Sequence, residues 1–258
     1  MKNIIGVACM LGQKKKGVNL SPLFFNTQKN IMINNFENYQ NLYNLIKINN
    51  NNKLITIGGD HSIAVSTISA INDNYVKENK KMSVIWVDAH SDINTPETSN
   101  SGNIHGMPVA FLLGLSKFKY VNFENYLTPK QIHYIGLRDV ELEEFNILKK
   151  LNINYYTSQD VKTYGITNII KQIKEKTEND NIHISFDVDA LDPVIMPNTG
   201  TSVSNGLNLN DAIQIIKHFD AKTMDIVEFN PFISISKTDL EMSLFVVNNM
   251  ISNFFIKK

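Results

Sequence analysis

The sequence predicts an α/β fold of three layers, in which helices cover both faces of a central, mostly parallel sheet. Short runs rich in β-branched residues alternate with longer stretches of helical periodicity, as in successive strand–helix–strand units. The apolar runs are continuous rather than alternating, which is typical of strands that are buried on both faces. Because no repeat, long linker or change in composition divides residues 1–258, we expect a single domain.

Each predicted strand is a short apolar segment bounded by glycine, asparagine or charged residues. In chain order, strands are predicted at residues 3–9, 53–57, 83–88, 131–136, 153–156, 181–187 and 223–228. Helices are predicted where apolar residues recur every three or four positions. They are predicted at residues 27–47, 62–72, 106–115, 141–150, 168–176, 210–219 and 238–256.

The balance of charge argues against partners that need a strongly basic protein. The 258 residues include 25 basic and 25 acidic side chains, so nothing attracts the chain to nucleic acid or to an anionic membrane. No apolar run approaches the roughly 18 residues that a membrane-spanning helix needs. The single cysteine, Cys9, lies in an apolar run and predicts a buried thiol in a reducing compartment. We therefore expect a cytoplasmic protein.

The second and third predicted strands end in residues that can bind metals. Two glycines precede Asp60 and His61, and they allow a sharp turn that puts His61 at the start of the next helix. A histidine in that place is by itself more often structural. After the third strand, Asp88, His90 and Asp92 lie two residues apart, so they would share one face of an extended segment. Such groups are costly beyond a buried strand unless a cation compensates them, and a solvated loop is the alternative.

The sixth predicted strand repeats this pattern with Asp187 and Asp189, which again lie two residues apart. Two carboxylates on one face repel each other, and a shared cation removes the conflict. Asp192, which precedes a proline, is instead typical of the start of a turn. The histidines within predicted strands, His133 and His183, are expected to be buried core residues.

Together the motifs supply two imidazoles and four carboxylates: His61, Asp88, His90, Asp92, Asp187 and Asp189. An oxygen-rich set with some imidazole suits Mn²⁺, and it suits Fe²⁺, Co²⁺ or Zn²⁺ less well. Six ligands exceed the needs of one ion that must keep an open position. We therefore predict two ions about 3.5–4 Å apart, bridged by carboxylates and by a water that becomes hydroxide near neutral pH. This combination predicts a two-metal hydrolase.

Beyond these ligands, the sequence resembles the ureohydrolases and, among them, the arginase family. The resemblance is carried by residues 86–96, 101–106, 134–140, 199–201 and 227–231, which read WVDAHSDINTP, SGNIHG, YIGLRDV, TGT and VEFNP. It implies an arginase-like fold, slightly trimmed near the N-terminus, that forms one catalytic domain. It also implies manganese-dependent hydrolysis of the L-arginine guanidinium group to L-ornithine and urea by a metal-bridging hydroxide.

The resemblance assigns the metal ligands position by position. It implies that one Mn²⁺ is held by His61, Asp88, Asp92 and Asp187. The other would be held by His90, Asp88, Asp187 and Asp189. Asp88 and Asp187 would then bridge the two ions, and Asp92 would belong to the catalytic centre.

For the substrate, the resemblance implies a role at each end of arginine. Glu228 would pair with the guanidinium, and Thr201 would line the pocket beside it. His105 would shuttle protons and help the amine to leave. Two pairs of side chains would bind the amino-acid end. The α-carboxylate would be hydrogen-bonded by Asn94 and Ser101. The α-amino group would be bound by Glu141 and Glu144.

Departures from the family pattern bear on these expectations. Glu141 stands where arginases usually have aspartate, so its carboxylate reaches further, and the segment between residues 18 and 58 is short. The missing part is expected to cost a peripheral strand–helix unit rather than the metal site. A homotrimer is the default expectation for the family. The extended tail of many eukaryotic members does not follow Lys258, so a weaker trimer is expected.

Two other functions stay open. Agmatinase or another ureohydrolase would use the same metals, but agmatine lacks the carboxylate that Asn94 and Ser101 are expected to bind. A non-catalytic protein of the same fold would act by binding alone. Loss of metal ligands would mark such a protein, and this sequence retains the full set.

Overall fold

The central sheet has eight strands within the residues that the computed structural model describes, which are 2–49, 53–233 and 236–256. The strands are β1 Ile4–Cys9, β2 Lys29–Ile33, β3 Leu54–Ile57, β4 Met82–Val87, β5 Ile132–Leu137, β6 Asn154–Thr157, β7 Asn181–Asp187 and β8 Thr223–Val227. Their order across the sheet is β2-β1-β3-β8-β7-β4-β5-β6, and the strands pair in parallel. The predicted parallel sheet is therefore confirmed.

Helices cover both faces of this sheet. They are α1 Phe36–Ile48, α2 Ala64–Lys77, α3 Pro108–Leu112, α4 Leu142–Leu151, α5 Ser158–Tyr164, α6 Ile166–Lys176, α7 Leu209–His218 and α8 Lys237–Phe255. On β4, Val84 and Trp86 pack in one apolar cluster with side chains of α1 to α4, whereas Ile85 and Val87 pack in a second cluster with α5 to α8. Strands with helices on both sides read as continuous apolar runs. This arrangement is the predicted three-layer fold.

The structure corrects the predicted helix over residues 27–47. Residues 29–33 form the edge strand β2, which pairs with β1, and α1 begins only at Phe36. Asn35 caps this helix, because its side chain accepts a hydrogen bond from the Asn38 N–H. Three of the five β2 residues are apolar, but only Ile33 is buried, so composition did not distinguish this strand from the predicted helix. The sequence pattern does not predict α5, and the helix that it predicts at residues 106–115 is longer than α3. The short segment between residues 18 and 58 keeps a strand–helix unit, β2 with α1.

The four central strands place distant parts of the chain side by side. In the order β3-β8-β7-β4 they are neighbours in space, although they come from widely separated parts of the sequence. Parallel strands end at the same edge of a sheet, and ligands of open α/β sheets bind beyond that edge. His61 lies just beyond β3, Asp88 follows β4, Asp187 ends β7 and Glu228 follows β8. The fold thus gathers residues from all three predicted motifs.

Cys9 lies at the end of β1 and is fully buried. Its Sγ is 3.1 Å from the Tyr39 hydroxyl oxygen, and burial raises the pKa of the thiol. Such a thiol is protonated at neutral pH and therefore unreactive, as the sequence predicts. Within the same described residues, no helix combines the length and the apolar character needed to cross a membrane.

The buried His133 on β5 leads to a prediction about how stability depends on pH, which does not involve the site. As expected from the sequence, the side chain is buried. Burial, reinforced by the charge of Lys176, lowers its pKa from 6.5 to about 4. Between these two pH values the unfolded chain binds a proton that the folded protein does not, so stability should fall on acidification. A shift of this size corresponds to about 3 kcal/mol across the window.

Denaturation by urea at pH 7 and pH 4.5 measures this effect. We expect the wild type to lose about 2–3 kcal/mol more than His133→Gln between the two pH values. Lys176→Gln should reduce the loss by a smaller amount, because it leaves the burial of His133 unchanged. Equal losses in the wild type and in His133→Gln would contradict the prediction.

Candidate active site

The ends of β3, β4 and β7 bring the first group of predicted ligands together. The Nδ1 atom of His61 lies 3.2 Å from Asp88 Oδ2, 3.0 Å from Asp92 Oδ2 and 3.2 Å from Asp187 Oδ2. This nitrogen is buried and has no hydrogen-bond partner among the described residues. The other ring nitrogen, Nε2, lies 2.9 Å from Ser185 Oγ. His61, Asp88 and Asp187 form a group that could hold a metal ion.

A second group of predicted ligands includes Asp88 as well. The other carboxylate oxygen of Asp88, Oδ1, lies 3.5 Å from His90 Nδ1. The same histidine nitrogen is 3.1 Å from Asp189 Oδ2. Asp88, His90 and Asp189 form a further group that could hold an ion. Asp88 therefore presents one oxygen to each histidine, which is the arrangement that a bridging ligand needs. The corresponding bridging role of Asp187 stays a prediction.

Turns, rather than extended backbone, bring these carboxylates together. Asp92 has a φ of 49°, in the left-handed region, where few residues other than glycine lie. Asp189 lies in the short 3₁₀ helix Val188–Ala190, and its N–H donates to Asp187 Oδ1 at 2.8 Å. The predicted residues do converge, but the extended geometry inferred from their two-residue spacing is wrong. Asp192 has its predicted turn geometry, because its Oδ1 accepts a hydrogen bond from the Val194 N–H at 3.1 Å.

Gly59 and Arg138 hold the turns that carry two of the ligands. A Cβ atom on Gly59 would collide with the Cys9 carbonyl oxygen, so the turn before His61 requires glycine. The Arg138 Nη2 donates to the Asp189 carbonyl oxygen at 2.6 Å and to the Val203 carbonyl oxygen at 2.8 Å. The guanidinium thereby links the end of β5 to the turn that follows β7.

The buried carboxylates repel one another when no cation lies between them. Burial, followed by the charge of Asp88, raises the pKa of Asp92 to about 7. Burial also raises the pKa of Asp187 and Asp189, again with a contribution from neighbouring carboxylates. Burial alone would raise the pKa of Asp88 too, but the two histidines beside it, His61 at 3.2 Å and His90 at 3.5 Å, lower it. A divalent cation would relieve this repulsion.

Glu228 lies directly after β8 and contacts two histidines. Its Oε1 accepts a hydrogen bond from the His61 backbone N–H at 2.9 Å and lies 3.0 Å from His105 Nδ1. Its φ of 66° is in the left-handed region, a strained conformation for glutamate. Burial alone would lower the pKa of His105, but the charge and hydrogen bond of Glu228 raise it to about 9. His105 is therefore protonated at neutral pH and can donate from both ring nitrogens.

A cavity of about 170 Å³ adjoins the ligand cluster. His90, Asp92 and His105 line it. Its walls also include the predicted substrate-binding residues Asn94, Ser101, Glu141, Glu144 and Thr201. Glu228 does not line the cavity, and only 1% of its surface is exposed. The structure thus brings the residues predicted for the amino-acid end to the same cavity and keeps the predicted guanidinium partner covered.

The residues predicted for the α-amino group are already hydrogen-bonded. The side-chain N–H of Asn94 donates to Glu141 Oε2 at 3.2 Å. Glu144 accepts hydrogen bonds from the backbone N–H groups of Ile93 at 3.3 Å and Glu141 at 3.1 Å. The Glu144 carboxylate therefore supports the backbone at Ile93 and at Glu141, while Glu141 is the freer of the two acidic groups.

Thr201 and Ser101 make local contacts. The Thr201 hydroxyl donates to Asp189 Oδ2 at 2.7 Å, so it supports a predicted metal ligand rather than Glu228. Ser101 is exposed, and its Oγ accepts a hydrogen bond from the Asn103 N–H at 3.2 Å. Both side chains nevertheless line the cavity, where a substrate could reach them.

Sequence reasoning missed two residues that lie within the strands themselves. Ser185 contacts His61, and Trp86 Nε1 donates to Asp88 Oδ2 at 2.9 Å. Ser185 precedes Asp187 by two positions, and Trp86 precedes Asp88 by two. Side chains two apart on a strand point to the same face, so this spacing could have identified both residues.

Two further contacts join parts of the chain that sequence patterns do not connect. Asp139 Oδ2 lies 3.5 Å from His90 Nε2. Asp139 belongs to segment 134–140, which carries the family resemblance, so that segment could have identified it as a residue of the site. Gln13 Nε2 lies 2.6 Å from Glu228 Oε2 across 215 positions of sequence. No local pattern marks Gln13 as part of the site.

The chain matches one protein family over most of its length. The model of the arginase family matches residues 14–254. The chain belongs to the arginase family. It is 46% identical over 193 residues to an arginase of Coccidioides immitis (strain RS), and the match covers 69% of this chain and 59% of that protein. The chain thus spans less than two thirds of that relative's length. An arginase of Staphylococcus aureus (strain MRSA252) is 34% identical over 290 residues, with 95% of each chain covered.

A solved arginase structure has the same fold. Entamoeba histolytica arginase, crystallised in complex with L-ornithine, matches with a TM-score of 0.87 at 33% sequence identity. The match covers 98% of this chain and 97% of that one. The parallel sheet of this arginase-family protein, with helices on both faces, is therefore the architecture that the family resemblance predicts.

Proposed function

We propose that this arginase-family protein hydrolyses the guanidinium group of L-arginine to L-ornithine and urea with two Mn²⁺ ions. The observation that carries the proposal is the pair of ligand groups that share Asp88, beside a cavity lined by polar groups. Relatives named arginase, and the L-ornithine bound to the Entamoeba histolytica enzyme, support this substrate. We further propose one catalytic domain that acts in the cytoplasm. A homotrimer stays a prediction.

The donor set fits divalent cations. The unpartnered, buried Nδ1 of His61 faces three carboxylate oxygens, which is the environment of a metal-binding imidazole. We assign one ion to His61, Asp88, Asp92 and Asp187. The other is assigned to His90, Asp88, Asp187 and Asp189. Oxygen-rich sets with imidazole suit Mn²⁺. When bound, two such ions supply a nucleophile near neutral pH by lowering the pKa of a water.

Glu228 would bind and orient the guanidinium. Burial alone would raise its pKa, but the charge of His105 and the hydrogen bonds from His105, His61 and Gln13 together lower it, so the carboxylate is ionised. A buried carboxylate attracts a cation more strongly than an exposed one, because less water screens the pair. The guanidinium is a poor electrophile, so holding it in place is a large part of the catalytic task. His105, protonated and close to Glu228, can deliver the proton that the departing amine needs.

The cavity wall would select the amino-acid end of arginine. Asn94 and Ser101 would donate hydrogen bonds to the α-carboxylate, and Glu141 and Glu144 would attract the α-amino group. Because Asn94 already contacts Glu141, the groups for the two charges lie next to each other, as the two substituents do on an α-carbon. Thr201 would act from beside the metal ligand Asp189.

Urea release from L-arginine and from agmatine tests the proposal. The protein is first stripped of metal by prolonged chelation and then supplied with Mn²⁺. We expect no urea without metal, and after Mn²⁺ is restored a kcat/KM at least about a hundredfold higher for arginine. A site that hydrogen-bonds a substrate group rejects the analogue that lacks it.

Two results would overturn this assignment. Equal efficiency on agmatine would replace arginase by agmatinase activity. No urea from either substrate, in a sample whose metal content is verified, would favour a non-catalytic member of the family. Full activity in a verified metal-free sample would contradict the two-metal mechanism itself.

A further inference from the structure

Gln13 reaches the buried Glu228 from the loop that follows β1. An ionised carboxylate only accepts hydrogen bonds, so the Gln13 side-chain N–H is the donor in this 2.6 Å contact with Oε2. Gln13 is half-buried, whereas Glu228 is buried. The contact joins the N-terminal part of the chain to the carboxylate that we propose binds the guanidinium.

The loop is fixed on both sides of Gln13. The Gly12 N–H donates to Asp60 Oδ2 at 2.8 Å, and the Gly12 carbonyl oxygen accepts from the His105 N–H at 3.2 Å. A Cβ atom at position 12 would lie 2.6 Å from Asp60 Oδ1, so this close approach requires glycine. On the other side, Asn230 Nδ2 donates to the Lys16 carbonyl oxygen at 2.9 Å. The backbone that carries Gln13 is therefore held on both sides, at Gly12 and at Lys16.

The hydrogen bonds of Glu228 leave little of its carboxylate free. A carboxylate offers about four acceptor positions, two on each oxygen. Oε1 accepts from the His61 N–H and contacts His105, and Oε2 accepts from Gln13. One position on Oε2 remains. Without Gln13, both positions on Oε2 would lack a donor among the described residues, and only Oε1 would fix the carboxylate plane.

We propose that Gln13 is a positioning residue that fixes the Glu228 carboxylate for one hydrogen bond from the substrate guanidinium. The inference rests on the proposed function and adds to it a contact that positions the guanidinium partner. Gln13 acts through Glu228 and does not itself touch the reacting atoms. Its loss should therefore reduce the alignment of the guanidinium without removing either group of metal ligands.

Gln13→Met tests this role, because methionine is similar in length and has no N–H to donate. Lys14→Met is the matched control, since Lys14 is an exposed neighbour in the same loop. We expect Gln13→Met to lower kcat/KM for arginine by about 10–100-fold, mainly through kcat, as misalignment near the reacting group does. The manganese content and melting temperature should stay at wild-type values, and Lys14→Met should retain full activity.

A crystal structure of manganese-loaded Gln13→Met gives a readout that does not depend on turnover. We expect the Glu228 carboxylate to be rotated from its wild-type plane or disordered. An unchanged carboxylate, a kcat/KM within twofold of the wild type, or a lower KM would each overturn the inference. Loss of manganese from the variant would also overturn it, because Gln13 would then be a structural residue. A wild-type protein that is inactive on arginine contradicts the proposed function instead, and the crystal structure still decides the role of Gln13.

Discussion

Asp187→Ala is expected to lower kcat/KM for arginine by at least about a thousandfold. Asp187 supplies an oxygen 3.2 Å from His61 Nδ1 and is proposed to bridge both ions, so its loss weakens both sites. Changes to residues that only support a ligand cost about 10–100-fold in metal affinity, and removal of a shared ligand should cost more. Steady-state urea release, together with the manganese content of the purified protein, measures the effect.

The stability of the same variant separates lost metal from a damaged fold. Metal that binds only the folded state raises the melting temperature as its concentration increases. We expect Mn²⁺ to stabilise the wild type and to have little effect on Asp187→Ala. The isosteric Asp187→Asn should behave in the same way, because the amide lacks the negative charge. A variant that keeps full manganese content and activity would show that Asp187 is not a ligand.

Glu228→Gln is expected to lower kcat/KM by about a hundredfold to a thousandfold while manganese content is retained. The substitution removes the charge that pairs with the guanidinium, and a buried charge partner is commonly worth several kcal/mol. The new amide nitrogen would also face donors, since His61 N–H and Gln13 both donate to this carboxylate. A part of the loss therefore comes from unpaired donors.

Kinetics on arginine with full metal loading measures this prediction. The increase in KM should accompany the decrease in kcat, because Glu228 is proposed to contact the guanidinium both before and during attack. A kcat/KM of Glu228→Gln within tenfold of the wild type would mean that another group holds the guanidinium. Loss of manganese from Glu228→Gln would show that the carboxylate instead supports His61.

The chemistry at the strand ends was predictable because it is local in sequence. Asp88, His90 and Asp92 are separated by single residues, and carboxylates beyond a buried strand have few explanations other than a cation. The backbone that brings them together was not predictable. The left-handed conformations of Asp92 and Glu228 are maintained by tertiary contacts, which a pattern of residue types does not describe.

Features that depend on contacts between distant parts of the chain could not be predicted from the sequence either. The edge strand β2 buries only Ile33, so its pairing with β1 decides its conformation more than its composition does. The contact of Gln13 with Glu228 depends on β1 and β8 both packing against β3. By contrast, Ser185 and Trp86 could have been found from strand periodicity, because each lies two positions before a predicted ligand.

The order β3-β8-β7-β4 also determines how metal binding relates to folding. The proposed ligands lie at the ends of β3, β4 and β7 and extend in sequence from His61 to Asp189, so no contiguous fragment smaller than residues 61–189 contains the set. In the sheet, β8 from a later part of the chain lies between β3 and β7. Contacts over such sequence distances form late and slowly compared with local ones. Bound ions would therefore oppose global unfolding of the central sheet rather than local opening of a loop. At free metal concentrations about 100 times Kd, this linkage contributes about 2.7 kcal/mol. Chelation should consequently increase amide hydrogen exchange in all four central strands together.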